Sequence, residues 1–159
     1  MRLSLDDLGL RGGQRHVCTY AMDVAPLTFG GARYDVVMPE GVTVSVDRIA
    51  GGYLVRLDLT AKVYGPCSRC LKETAVEVVA EQEEFVPTAA GGWVESESSP
   101  FVQDMVVDVS GLSREALVLG MPGRVLCSED CKGLCVQCGA DLNQGECGCQ
   151  PLEILGPMG

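Results

Sequence analysis

Apolar and polar residues alternate most cleanly at Val55, Leu57, Leu59, Ala61 and Val63, separated by Arg56, Asp58, Thr60 and Lys62. A period of two places one set on a buried face and the other in solvent, which is the pattern of a half-buried strand. Val76, Val78 and Ala80 repeat it with Glu77 and Glu81 outside, and Val42, Val44 and Val46 alternate with Thr43 and Ser45. The spacing predicts neighbouring antiparallel strands over 53–64 and 73–86, joined by the short connection GPCSRCLKE, and a further strand entered through a turn at Pro39, Glu40 and Gly41. Residues 16–24 read as another strand, and Met105, Val107 and Val109 as a short one. A helix near 110–120 follows, running through Leu112, Ala116, Leu117 and Leu119. Asp108 or Ser110 can cap it, and Gly120 and Pro122 end it. Residues 87–100 are rich in Gly, Ser, Pro and Glu without periodicity and read as a long loop anchored by Trp93, the one Trp of the chain.

After Arg124 the composition changes, and six cysteines fall between Cys127 and Cys149. The expected organisation is an antiparallel β-rich domain over 1–123 with one short helix, and a Cys-rich metal-binding module over 124–159 packed on it through Cys67 and Cys70. The class is α+β. A module this small needs metal to hold it together, because it cannot build an apolar core. Aromatic residues make up only 5 % of the 159-residue chain, so the main core is expected to be aliphatic. No stretch of about eighteen apolar residues offers a membrane span, and the start MRLSLDDLGLRGG does not read as a signal peptide. The expected location is the cytoplasm, where thiols stay reduced and cysteine pairs point to metal.

Eight of the nine cysteines form close pairs: Cys67/Cys70, Cys127/Cys131, Cys135/Cys138 and Cys147/Cys149. Eight thiolates are what two closed tetrahedral sites require, so two Zn2+ ions are the expected cofactors. The C-x2-C spacing of CSRC and CVQC lets one turn aim two sulfurs at one ion. Two pairings satisfy the pattern. The favoured one joins Cys67, Cys70, Cys127 and Cys131, leaving Cys135, Cys138, Cys147 and Cys149 as a local loop. The other joins 67/70 with 135/138, as in zinc ribbons. Cys18 stands apart in an alternating stretch and reads as a buried small hydrophobe.

The rest of the composition argues against an enzyme. His16 is the only histidine and lies far from the cysteines in sequence, whereas hydrolytic zinc sites draw on histidine ligands and an open water position. No nucleophile elbow, phosphate-binding loop or small-molecule site is evident. Glu81, Glu83 and Glu84 read as a solvated strand edge. The formal charge is −10, and eight thiolates with two divalent ions would take it to −14. Such a field repels nucleic acid and favours basic partners. Lys62, Arg69 and Lys72 near the first cysteine pair are the candidates for a local RNA contact. The second functional class is a zinc-thiolate redox sensor or redox-regulated chaperone.

PCSRCL at 66–71, DVSGLSREALVLGMP at 108–122 and above all LCSEDCKGLCVQCGADLN at 126–143 resemble the YceD family, described as large ribosomal RNA subunit accumulation proteins of bacteria and plastids. The resemblance spans about residues 15–150. It implies a non-enzymatic accessory role in large-subunit biogenesis and 23S rRNA accumulation. The implied partners are the large-subunit precursor, a small basic large-subunit ribosomal protein, or 23S rRNA. The family's cysteine positions match Cys67, Cys70, Cys127, Cys131, Cys135 and Cys138, while Cys147 and Cys149 fall in a more variable stretch.

Overall fold

The computed structural model describes residues 1–88 and 99–150. Trp93, most of the expected 87–100 loop and the tail from 151 lie outside the described residues. Among the described residues nine strands and one helix follow in the order β1 (Arg2–Ser4), β2 (Arg15–Tyr20), β3 (Leu27–Phe29), β4 (Ala32–Val37), β5 (Val42–Ile49), β6 (Gly52–Pro66), β7 (Glu73–Pro87), β8 (Val102–Gln103), β9 (Val106–Asp108) and α1 (Val109–Gly120). A single 3-10 turn, Asp6–Leu8, sits after β1. No helix among the described residues is long and apolar enough to cross a membrane.

The long strands are the centre of the molecule. β6 and β7 are each 15 residues and pair antiparallel over their whole length, from Gly52 opposite Pro87 to Pro66 opposite Glu73. On its other side β6 meets two strands in succession. β5 lies against its first half and β4 against its second. Val37 faces Lys62 and Val42 faces Leu59, so four residues of β4–β5 oppose two of β6 at the 38–41 turn. β3 extends β4 and β2 extends β5. The sheet is therefore an antiparallel meander of four rows in which the first two rows are each broken. The β3–β4 hairpin turns on Gly30 and Gly31, both with positive φ (57° and 80°), the combination that a two-residue hairpin loop demands.

The break accounts for the short β2. A strand over 16–24 was expected, but pairing stops at Tyr20. Gly41 sits so close to Tyr20 that a Cβ there would lie 2.2 Å from its carbonyl oxygen, and its φ is +72°. The chain cannot remain in register with a partner that bulges, and residues 21–26 run free until β3.

One face of the sheet carries the aliphatic core that the composition predicted. Val42, Val44, Val46, Val55, Leu57, Leu59, Val63, Val78 and Val86 are buried there, with Val107, Val109, Leu112, Ala116 and Leu117 above them. The cover is α1 and the small sheet β1–β9–β8. Asp108 caps the helix, its Oδ1 accepting from the Gly111 N–H at 3.2 Å. The opposite face is solvated. Arg56 reaches Glu83 across β6–β7, and Glu77 and Glu81 stand exposed on the same strand. Cys18, expected to be buried, is only half-buried, because β2 is the outermost row and little covers its inner side.

The end of the long hairpin is locked from below. Gly65 has no room for a side chain, since a Cβ would meet the Tyr34 ring at 2.3 Å, and the Tyr34 hydroxyl donates to the Pro66 carbonyl at 3.0 Å. The next residue is Cys67. In urea melts of the metal-loaded chain, Tyr34→Phe is expected to cost about 1 kcal/mol, the net worth of one hydrogen bond. Gly65→Val is expected to cost about 1–3 kcal/mol by overpacking the ring. A loss for Gly65→Val no larger than for Tyr34→Phe would refute the packing argument.

Candidate metal centres

The tip of the β6–β7 hairpin is a knuckle. Cys67 N–H donates to Lys72 O at 2.8 Å, and Leu71 N–H donates to Cys67 O at 2.9 Å. These two bonds fold CSRCLK so that Cys67 and Cys70 point the same way. The segment after α1 is sewn to this tip. Ser68 N–H donates to Val125 O at 2.8 Å, and the Arg69 guanidinium donates to Cys131 O at 2.9 Å and to Glu129 O at 3.3 Å. Cys67, Cys70, Cys127 and Cys131 are thereby gathered with all four sulfurs within 4.8 Å of one another. Cys67, Cys70 and Cys131 are buried and Leu126 and Leu134 pack around them, while Cys127 is exposed.

The second knuckle repeats the first. Cys135 N–H donates to Ala140 O and Gly139 N–H donates to Cys135 O, each at 2.8 Å. Cys135, Cys138, Cys147 and Cys149 form a second group within the same limit, more open to solvent, with Cys138 exposed. The two knuckles differ at one point. Gly139 takes a left-handed backbone (φ +76°) at no steric cost, whereas its counterpart is Leu71 (φ +62°). A side-chain-bearing residue in that region costs about 1–2 kcal/mol. Leu71 is 66 % exposed, so burial does not offset the cost.

All nine cysteines are free thiols. The Sγ–Sγ separations of Cys67–Cys131 (3.8 Å) and Cys70–Cys127 (3.6 Å) are far longer than a disulfide's roughly 2.05 Å. They match the edge of a tetrahedron, roughly 3.8 Å when each sulfur lies about 2.3 Å from a central zinc. Each quartet could hold a metal ion. The grouping is the one favoured from the spacing; the ribbon-type alternative would join sulfurs that lie in different quartets.

Within each quartet the thiols titrate unequally. Burial pushes the Cys67 thiol up, but the N–H groups of Cys70, Cys127 and Arg69 outweigh it and bring it down to about 6. Cys127, hydrogen-bonded to the Cys70 and Cys131 thiols, is pushed up to about 12. In the second quartet the N–H groups of Cys138 and Gln137 draw Cys135 down to about 6, while Cys138 and Cys147 raise Cys149 to about 12. Four sulfurs this close cannot all ionise unaided, because each thiolate raises the next. A divalent cation removes that obstacle.

Three residues that bind the centres to the body were not identified as such from the sequence. Asn143, in the ADLN segment, donates from Nδ2 to Cys131 Sγ at 3.4 Å and accepts from the Lys132 N–H at 2.8 Å. Its amide holds the Cys131 thiol below its ordinary value. Asn143 lies between Cys138 and Cys147 in the chain but contacts a sulfur of the other quartet, so it ties the two together. Asp141 Oδ1 accepts from Asn143 N and Nδ2, and its buried Oδ2 meets the Lys72 ammonium at 2.6 Å. Lys72 therefore clamps the hairpin tip to the second knuckle. Together with Arg69 it has an internal role, whereas Lys62 stands on the solvated face opposite Glu77. His16 sits half-buried in β2 opposite Val46, away from both quartets.

A family model described as "Large ribosomal RNA subunit accumulation protein YceD" matches residues 55–156, a stretch that includes most of the long hairpin, α1 and all eight clustered cysteines. The chain belongs to the YceD family. Among curated relatives, an uncharacterized protein of Mycobacterium tuberculosis is 33 % identical over 100 residues, covering 61 % of this chain and 48 % of the relative. One of Mycobacterium leprae is 28 % identical over 107 residues, covering 65 % and 49 %. A chloroplastic protein of Zea mays, named large ribosomal RNA subunit accumulation protein YCED homolog 1, is 37 % identical over 54 residues, covering 33 % and 18 %. The chain thus spans about half the length of the mycobacterial relatives it matches. No solved structure matches it.

Asn143→Ala is expected to weaken metal at the Cys67/Cys70/Cys127/Cys131 quartet about 10-fold or more, as loss of an outer-shell partner does, with competition against a chromophoric chelator as the readout. Acid should release metal before it breaks the Lys72–Asp141 clamp. The Asp141 carboxyl is held down to about 2 by Lys72, then by the Asn143 N–H. The clamp therefore acts fully above the ordinary carboxylate value of 3.8 and is lost only as pH falls from there through about 2. Thiols take up protons, and give up metal, at higher pH. Metal retained below pH 3.8 would contradict this order.

Proposed function

We propose that the chain is a non-enzymatic accessory factor of large ribosomal subunit biogenesis. It supports 23S rRNA accumulation by binding a pre-ribosomal particle, chiefly through a small basic protein of that particle. One observation carries the reading: the family match runs over 55–156 and so takes in most of the hairpin and both cysteine quartets. The name of the Zea mays relative supports the same direction. Zinc is the proposed ion in both quartets, since four thiolates in a closed tetrahedral arrangement suit structural zinc and leave no open position for chemistry. In this reading the ions are part of the fold, and the cytoplasm is where such a factor would act.

Electrostatics supports a basic protein as the main contact. The chain carries −10 before any thiolate ionises, and Glu73, Glu77, Glu81 and Glu83 line the exposed side of β7. An acidic surface of this kind steers basic partners and disfavours the phosphate backbone. Among the described residues β7 pairs only with β6, so its other edge is open to an extended segment of such a partner.

One feature favours a second reading, the redox sensor. Each quartet contains one exposed cysteine, Cys127 or Cys138, where an oxidant could reach sulfur first. Release of zinc under mild peroxide, with a matching gain in client binding, would support it. Thiols that stay unreactive would remove it.

The deciding experiment is affinity capture of the tagged chain from its native cells, with RNA sequencing and protein identification on one eluate. The expected result is 23S precursors together with large-subunit proteins, lost at raised salt. An eluate free of both would overturn the assembly reading.

A further inference from the structure

We propose that the hollow beside the first knuckle binds one unstacked nucleotide of single-stranded RNA, its base against Leu71 and Phe29 and its phosphate at Arg124 and Arg69. The inference rests on the assembly reading above and names where the acidic chain would touch RNA within the particle.

Leu71 is the first observation. The two knuckles share the same pair of backbone hydrogen bonds, yet the left-handed position holds Gly139 in one and Leu71 in the other. Leucine is strained there and two-thirds exposed. Strain that gains nothing in packing points to a task outside the fold. Leu71 is also poised over a cavity rather than standing on a bare turn. A hollow of about 330 Å³ opens between the knuckle, the β3–β4 hairpin and residues 123–125, with Phe29, Tyr34, Pro66, Leu71, Arg69 and Arg124 on its walls. That volume is at the small end for ligand sites and suits one nucleotide, not a duplex.

Charge decides the class of ligand. Four other hollows on the described surface each contain carboxylates: Asp104 and Asp108 in one, Asp58, Glu81 and Glu83 in a second, Glu40, Asp58 and Glu81 in a third and Asp23 in a fourth. The hollow beside the knuckle contains none and has two arginines. Arg69 is partly committed to Cys131 O and Glu129 O, and it offsets some of the negative charge of the quartet behind it. Arg124 is exposed and takes part in no ion pair among the described residues. Acidic groups elsewhere on the chain are screened beyond about 8 Å at physiological salt. A basic segment suited to β7 would be repelled at this spot. A ligand with a planar apolar part and an anionic part fits both walls, and an unstacked base with its phosphate has that form.

The test is fluorescence anisotropy of the metal-loaded full chain with a short labelled single-stranded RNA, with duplex RNA of the same sequence as control. The wild-type chain is expected to prefer the single strand. Leu71→Gly relieves the strained backbone, so its melting temperature should hold or rise while affinity falls about tenfold, the scale of one lost base contact. Arg124→Glu should weaken binding and flatten the salt dependence by about 0.7 in log–log slope, one single-strand phosphate's share. Wild-type affinity in both variants overturns the site. So does a chain that ignores RNA but takes up a basic peptide in a Leu71-dependent way, which would give the hollow to a protein. Capture from cells separates this failure from that of the assembly reading. If large-subunit precursors still co-purify while the hollow proves inert, only the present inference is lost.

Discussion

The structure depends on one meeting of sulfurs. Cys67 and Cys70 come from the tip of a hairpin, and Cys127 and Cys131 arrive some sixty residues later, after the small sheet and α1. Their four sulfurs close the loop that contains β7, β8, β9 and α1. Two 15-residue strands paired without interruption make a stiff arm, and Tyr34 over Gly65 fixes its end. A rigid tip can present two sulfurs at a set spacing, and the chain after α1 then has to match it. Ser68, Arg69 and Lys72 make that match by bonding to Val125, Cys131 and Asp141. The beginning of this segment also belongs to the body, since Val125 is buried in the main core.

The quartets and the apolar core stabilise the chain by different physics. The core gains from removing valine and leucine side chains from water and needs no ligand. The quartets would gain from a cation that resolves the conflict among their thiols, one member of each being pushed down to about 6 and another up to about 12. Binding energy there would be folding energy. The two quartets are also unequal. The first is mostly buried and bonded to the hairpin. The second is more open and is joined to the first by the three residues 132–134 and by Asn143. Order therefore passes outward, from sheet to hairpin tip to first quartet to second.

What could be read from the sequence was whatever is written locally. The alternation from Val55 to Val63 marked β6 because burial on one face leaves a period-two trace, and the cysteine spacing marked both knuckles because a ligand pair must sit on one turn. The helix cap was narrowed to Asp108 or Ser110, and the choice between them depended on how the chain leaves β9. The turn at Pro39, Glu40 and Gly41 was legible, but its bulge against β6 was not, since that exists only relative to β6, and the early end of β2 follows from it. The same holds for Lys72, Asp141 and Asn143. Each is an unremarkable polar residue until the fold sets an ammonium against a carboxylate and an amide against a thiol. Leu71 is a partial exception: beside CVQCG, the sequence CSRCL already shows a leucine where its twin has glycine.

That comparison also separates the structural and the functional parts of the module. Backbone hydrogen bonds, sulfurs and the left-handed turn are common to both knuckles, so they are what it takes to hold an ion. Whatever differs between the knuckles is free to serve something else. In the second, the turn is glycine and the exposed apolar residue is Val136, on the ligand loop itself and 85 % exposed. In the first, the apolar residue occupies the strained position and lies against a hollow that has arginines and no carboxylate. In a chain with nearly twice as many acidic as basic residues this hollow is free of acid, and the metal quartet alone does not require that. A nucleotide held there would account for it, and its charge is opposite in sign to that of the partner the acidic face of β7 is suited to meet.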